Sequence, residues 1–435
     1  MPYTSCEQVK QSLYLSIDHV GKNREEFLEN PKTNFTRSRK ISFEQAMMFP
    51  MLTEAGNLAT ELMDFFGEDK LPHPSAMVQR RSLIKPEAFI ELFFHFTNKI
   101  PVLNLFNGYQ LVSCDGTRLN LPYNPSDPDS FIQCISNRKG INQLHMNALY
   151  DPQNDIFLDI ELQGIHEMDE KAAFTRFLDK YADLASTLKR IYLADRGYAS
   201  YNIIAHAIHN GQFFLIRVPE SFAKNICVNN KNWLDDLYAD EEVNVHIGRR
   251  NLKAFQALEN FHIIPSSGHY DYIQAGSDDI DCLSFRVVKF PLSDNSFEYI
   301  VTNLPSRPFN LHTVKSLYRR RWNQETAFRY LKYGGNIVRL HSLKKEFILQ
   351  EIYAKLTLYN FSACLEATVK RKKKTTDTHT YVLNHTQMQK IIIRYLRGVI
   401  KGVEDMILRF FVPNRPDRKY ERNLRRQSAG TLAYR

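Results

Sequence analysis

Between Tyr109 and Val218 the chain alternates short apolar runs with helical stretches in an order that few folds accommodate. "YQLVSCD" (Tyr109 to Asp115) is a short apolar run that ends on Asp115. "INQLHMNALYD" (Ile141 to Asp151) and "DIFLDIELQG" (Asp155 to Gly164) alternate as half-buried strands, with "DPQN" as a hairpin turn between them. "EKAAFTRFLDKYADLAS" (Glu170 to Ser186) has helical periodicity, and "RIYLAD" (Arg190 to Asp195) is a buried strand that again ends on an acid. A second helix over "SYNIIAHAIHN" (Ser200 to Asn210) and a strand over "QFFLIRV" (Gln212 to Val218) complete the set. Three strands, a helix, a strand, a helix and a strand predict a mixed α/β sheet.

That order is the one found in ribonuclease-H-like α/β cores, although on pattern alone it also suits other mixed-sheet domains. The rest of the chain divides around it. Residues 1–107 predict a helical N-terminal region, with the periodicity of Ser42 to Gly67 interrupted at Pro50. Within it "SAMVQRRSL" (Ser75 to Leu83) fits either a helix-turn-helix that touches DNA or a plain packing helix. Residues 108–218 hold the first part of the core. A turn-rich, mostly β insertion covers 219–291, and 292–369 return to the core with the helix that carries Glu325. Glu346 to Val369 is strongly apolar and predicts a core helix. Residues 370–435 form a basic helical C-terminal region and tail, with the run Lys370 to Lys374 and six cations against two acids in Arg415 to Arg426.

The net charge of +9 favours anionic partners, nucleic acid before membrane, although on charge alone a basic enzyme without a polyanion partner fits equally well. No apolar run approaches the roughly 18 residues that span a bilayer, and the N-terminus lacks a signal-peptide core. The six cysteines are scattered without metal-ligand spacing, which suggests neither a disulfide framework nor a zinc site and points to a reducing compartment.

The densest chemistry lies in "SLYRRRWNQETAFRYLKYGG" (Ser316 to Gly335). Tyr318, Arg321, Glu325 and Lys332 stand at offsets 0, 3, 7 and 14, within an arc of about 60° on a regular helix. Leu317, Trp322, Phe328 and Leu331 supply the apolar residues that anchor it, so core packing is the expected role of Trp322. A carboxylate flanked by a hydroxyl and two cations can bind a divalent metal while Arg and Lys hold a phosphate beside it. An i,i+4 ion pair on a solvated face is the plainer use of Arg321 and Glu325. One carboxylate binds Mg²⁺ poorly, and Asp115 and Asp195 are the candidates to join it. Each ends an apolar strand and is followed closely by glycine, at the strand ends where sites assemble in open sheets. Either acid alone is more readily explained as a cap of the next turn or helix. Three such carboxylates suit two metal ions about 4 Å apart, acting on a phosphodiester without a protein nucleophile. Asp159, Glu161 and Glu167 are accounted for by strand faces and turns, and His145, His166, His206 and His209 by structural roles.

Tyr318-x2-Arg321-x3-Glu325-x6-Lys332 resembles, without a gap, the Y-R-E-K signature of DDE transposases of the insertion sequence 4 family. "CDGTRL" and "ADRGY" resemble the segments of that family's first and second Asp, and "IVTNLP" its strand before the Glu helix; the likeness covers about Ser75 to Val369. The resemblance implies a ribonuclease-H-like enzyme for cut-and-paste transposition, cleaving at terminal inverted repeats and joining the 3′-hydroxyl to target DNA. It implies Asp115, Asp195 and Glu325 as the catalytic, metal-binding triad for two Mg²⁺ ions, with Mn²⁺ able to substitute. Tyr318, Arg321 and Lys332 would grip DNA phosphates. The implied partners are double-stranded DNA, as terminal repeats and target, and a second copy of the chain in the DNA complex, with no membrane. The implied setting is the prokaryotic cytoplasm, on the nucleoid when DNA is bound. A structure-selective nuclease on the same fold and a non-catalytic DNA-binding descendant are the alternatives.

Overall fold

The computed structural model describes residues 3–37, 39–54, 56–133, 139–227, 233, 236–251, 258, 260–293, 296–369 and 381–413. Cys134, the run Lys370 to Lys374 and the tail Arg415 to Arg426 lie outside the described residues.

Five helices come first: α1 (Cys6–Lys22), α2 (Phe43–Leu52), α3 (Leu58–Phe66), α4 (Pro74–Arg81) and α5 (Glu87–Thr97). The break between α2 and α3 falls after Leu52 and not at Pro50, which the helix carries inside its last turn. Only the bond that the absent Pro50 N–H would have made is lost there, and Asn57 starts α3 by accepting the Thr60 N–H at 3.0 Å. The two arginines of α4 point inward. Arg80 donates to the Ile41 carbonyl, and Arg81 is paired with Glu351, so these cations pack the protein and are not presented to a partner.

The sheet strands follow in chain order: β1 (Gln110–Leu121), β2 (Phe131–Ile132), β3 (Ile141–Asp151), β4 (Ile156–Gly164), β5 (Arg190–Ala194), β6 (Phe213–Val218), β7 (Ala239–Gly248), β8 (Phe261–Ile263), β9 (Ile280–Ser293) and β10 (Ser296–Thr302). Among the described residues these ten strands form one sheet. β4, β3 and β1 are antiparallel neighbours, and β1, β5 and β6 are parallel. The spatial order β4-β3-β1-β5-β6 is the ribonuclease-H-like arrangement. The insertion strands β7, β8 and β9 extend this same sheet beyond β10, which pairs antiparallel with β6.

Successive residues of β1 face opposite sides of the sheet. One side buries Val112 and Cys114 with α6 (Glu170–Lys180) and α7 (Tyr201–His209). A short helix, α8 (Glu220–Ile226), precedes the insertion strands. The other side buries Leu111 and Leu119, under α9 (Leu311–Arg320), α10 (Trp322–Arg329) and the π-helical turn Tyr330–Gly334 that continues it. Behind these lies α11 (Lys345–Thr368), buried along most of its length between the N-terminal helices and β4. Its Asn360 bonds both the N–H and the carbonyl of Phe157, at 2.9 and 2.8 Å, and so closes part of the β4 edge. The C-terminal α12 (His385–Leu396) and α13 (Val403–Leu408) are separated by a turn with Gly398 at φ 77°. The short pair β11 (Tyr381–Leu383) and β12 (Phe411–Pro413) ties the ends of this unit together.

A buried polar network fixes α11 to α4. Arg81 Nη1 lies 3.1 Å from Glu351 Oε1, its Nε donates to Gln350 at 3.1 Å, and the His341 N–H donates to Glu351 at 2.8 Å. Burial opposes ionisation of Glu351, but His341 and Arg81 outweigh it and draw the carboxyl from 4.5 down to about 2. Stability from this group is therefore present above pH 4.5 and is lost as the pH falls towards 2. Glu351→Gln leaves Arg81 buried without its counter-charge and is expected to lower the unfolding free energy by about 3 kcal/mol in urea titrations at neutral pH. The deficit should shrink as the pH falls from 4.5 towards 2, where first the unfolded and then the native carboxyl takes up its proton; a constant deficit would contradict this account.

Candidate active site

Asp115 lies inside β1 and not at its end. Thr117, Leu119 and Leu121 continue the alternation past it, so the strand runs on to Leu121. The parallel ladder to β5 nevertheless stops at Cys114 and Ala194. Among the described residues, β1 from Asp115 onward has a strand neighbour only on its β3 side, because β5 turns into the 3₁₀ segment Arg196–Tyr198. Asp195 stands at that turn, the next residue after the last parallel pair. Its carboxylate accepts the Gly197 N–H at 2.7 Å, so it caps the turn and is held at the end of β5.

The third acid arrives from the opposite side. Residues 311–334 do not form the single regular helix that the stripe of Tyr318, Arg321, Glu325 and Lys332 assumes. The hydrogen-bond pattern breaks at Arg321, and Lys332 lies in the π-helical turn. Gln324 is fully buried and donates to the Ala148 carbonyl of β3 at 2.9 Å, which pins α10 to the sheet beside Asp115. Trp322 lies two residues earlier, about 200° around the helix, and is 59% exposed; it does not pack in the core. Leu317, Phe328 and Leu331 do.

Arg321 joins the parts. Its buried guanidinium places Nη2 3.0 Å from Glu325 Oε1 and Nη1 3.6 Å from Asp115 Oδ2. The i,i+4 pair is therefore present, but it turns inward to a third group. Lys332 Nζ reaches the Thr117 hydroxyl at 2.5 Å, on the same face of β1 as Asp115. Burial pulls the Lys332 ammonium below its ordinary value. Tyr318 is also buried beside Arg321, and its hydroxyl and Arg321 Nε lack an aligned hydrogen bond among the described residues. Burial pushes the Asp115 carboxyl up to about 6, against the charge of Arg321 and the Gly116 N–H bond, and the charges of Asp195 and Glu170 add to the rise.

Three residues of this neighbourhood carry no recognisable spacing. Gly116 faces away from Asp115, and a Cβ there would meet Glu170 Oε1 and His145 Nε2. Glu170 belongs to the first turn of α6, and His145 to β3. A glycine inside a strand was the available signal for such a close approach. By contrast, Asp159 is engaged by Lys180 and Tyr181, and Glu161 by Arg176, so strand-face contacts account for both.

Among the described residues no three His, Cys, Asp or Glu side chains are close enough together to share one ion. In kind, the donors fit a hard divalent cation. Asp115, Asp195 and Glu325 offer only carboxylate oxygens, and a positive charge, the Arg321 guanidinium, already spans the gap between two of them.

The family model for the transposase DDE domain matches residues 107–361, a span that contains every residue above. The chain belongs to the transposase DDE domain family. None of the curated proteins matches it. Among solved structures, a piggyBac transposase synaptic complex with hairpin DNA, determined by cryo-EM, is similar at a TM-score of 0.48 and 8% identity, over 96% of this chain and 87% of that one. Among the described residues of this DDE transposase chain, no helix is long and apolar enough to cross a membrane.

The close approach at Gly116 is open to test. Gly116→Ala is expected to cost about 1–3 kcal/mol of stability by overpacking. Adding Glu170→Ala should recover part of that loss in denaturant titrations, and strictly additive effects would contradict the contact.

Proposed function

We propose that this chain is a cut-and-paste DNA transposase of the insertion sequence 4 type. Asp115, Asp195 and Glu325 would hold two divalent cations, Mg²⁺ or Mn²⁺. Bound there, the cations would activate the attacking oxygen and stabilise the leaving oxygen of a phosphodiester. The observation that carries the reading is the bridge from Asp115 to Glu325 through Arg321, within a chain of the DDE family. It draws a strand acid and a helix acid more than two hundred residues apart to one charged group.

The other residues of the signature divide the work on DNA. Lys332 is held at Thr117 beside Asp115, where its ammonium can meet a phosphate next to the scissile bond. Arg321 orients Glu325 and, released from Asp115, can neutralise a second phosphate. Tyr318 offers a hydroxyl with bonding capacity to spare. Trp322 is largely exposed beside the Arg321 guanidinium and offers an aromatic ring to an unstacked base. The partners proposed are terminal inverted repeats, target DNA and a second copy of the chain. Residues 1–107 and the basic segment 370–435 would hold DNA outside the core of 108–218 and 292–369, with 219–291 inserted between its halves.

The test is metal-dependent cutting of DNA that carries the inverted repeats flanking this reading frame. Asp115→Asn, Asp195→Asn and Glu325→Gln should each lower the cleavage rate about 10³-fold, equivalent to about 4 kcal/mol, while end binding in gel-shift assays stays unchanged. Cleavage at the native rate by any of the three removes that residue from the site. Lys332→Ala should weaken end binding and reduce the slope of log affinity against log salt by about 1; an unaltered slope would exclude a phosphate contact.

A further inference from the structure

Glu170 has no part in the reading above, yet the fold brings it to the strand that carries Asp115. Asp169 caps α6 by accepting the Ala172 N–H at 2.9 Å, and its own N–H donates to Gln163 at 2.9 Å. Both bonds fix where α6 begins, and Glu170 is its first residue. Opposite, on β3, His145 is buried and divides Nε2 between Glu170 Oε1 at 3.1 Å and Asn147 Oδ1 at 3.2 Å. Asn147 pairs with Gly116 in the β1–β3 ladder, and His145 pairs with Arg118. The carboxylate thus enters the space that a side chain at 116 would fill and lies against the β1 backbone one residue from Asp115.

This is the stretch where β1 has lost its β5 neighbour, so the sheet is open on that side. Asp115 meets the opening from one face, Asp195 from the end of β5 and Glu170 from the other face. Glu170 Oε2 makes no hydrogen bond or ion pair among the described residues, and the side chain is 37% exposed. One oxygen is therefore held by His145 and the other is free. The pair of His145 and Glu170 leaves no room for a side chain at 116, and it sets the carboxylate against the backbone next to Asp115.

We propose that Glu170 is a fourth carboxylate of the divalent-cation site and that His145 is its positioning residue. The inference rests on the metal-dependent reading of Asp115, Asp195 and Glu325. On this view the α6 acid adds negative charge and one oxygen donor on the side of the site away from Arg321. His145 holds the carboxylate in place much as groups behind a metal ligand commonly do.

The experiment is titration of the full-length protein with Mn²⁺ alone, following free Mn²⁺ by electron paramagnetic resonance. Glu170→Gln should weaken Mn²⁺ binding at least tenfold without altering DNA binding in a metal-free gel shift. Glu170→Asp, which keeps the charge but withdraws it by one methylene, should weaken it too and guards against a Gln variant that fails to fold. His145→Ala should lower the affinity and His145→Gln, which keeps an N–H donor for Glu170, should restore it. If Asp115→Asn weakens Mn²⁺ binding while both Glu170 variants bind within twofold of the native protein, Glu170 is no part of the site and the reading of the triad stands. If Asp115→Asn also binds like the native protein, the metal site itself is misplaced and this inference is overturned with it.

Discussion

One guanidinium holds the two halves of the site together. Arg321 is buried, and a buried cation must be paired or its desolvation goes uncompensated. Its partners are the acid of a strand and the acid one helical turn ahead. Much of the surrounding fold serves to make that meeting possible. β1 carries Asp115 on the face it shares with Leu111 and Leu119, and the chain returns from the far edge of the sheet to lay α9 and α10 over it. The same contact gives the two carboxylates one shared counter-charge. Burial and neighbouring acids push Asp115 towards its neutral form, and Arg321 opposes them.

The stretch 219–291 takes part in this geometry. Its strands β7, β8 and β9 continue the sheet past β6 by way of β10, and Arg286 of β9 is paired with Asp240 and donates to the Leu304 carbonyl at the entrance to α9. The helix of Glu325 therefore departs from a surface that the insertion has helped to build. On the other flank α11 closes the β4 edge and carries the Arg81–Glu351 pair, which couples the N-terminal helices to the same core.

Strand order, the position of Asp195 at a strand end and the apolar face of α9 to α10 were legible because each is written in local periodicity. Asp115 was misjudged as a strand end, since an apolar run that meets an acid and a glycine looks like a terminus. The alternation of Thr117, Leu119 and Leu121 beyond it held the correction. The break at Arg321 and the exposure of Trp322 were not legible. Both follow from tertiary contacts, above all from Gln324 reaching a β3 carbonyl, which rotates the helix in a way that no pattern within the helix records. Glu170 was hidden for a related reason. Its relation to Asp115 exists only once the β1–β3 ladder and the start of α6 are in place, and the one trace of it in the chain is the glycine opposite.

The account depends on Asp115, Asp195 and Glu325 closing around cations when DNA ends and divalent metal are present. Anomalous diffraction from crystals of the protein with Mn²⁺ and a repeat-end duplex tests that most directly. The account predicts Mn²⁺ peaks ligated by oxygens of all three acids, with the Arg321 guanidinium withdrawn from Asp115. Peaks ligated by other residues, or Arg321 still joining Asp115 to Glu325 with no ion near them, would contradict it.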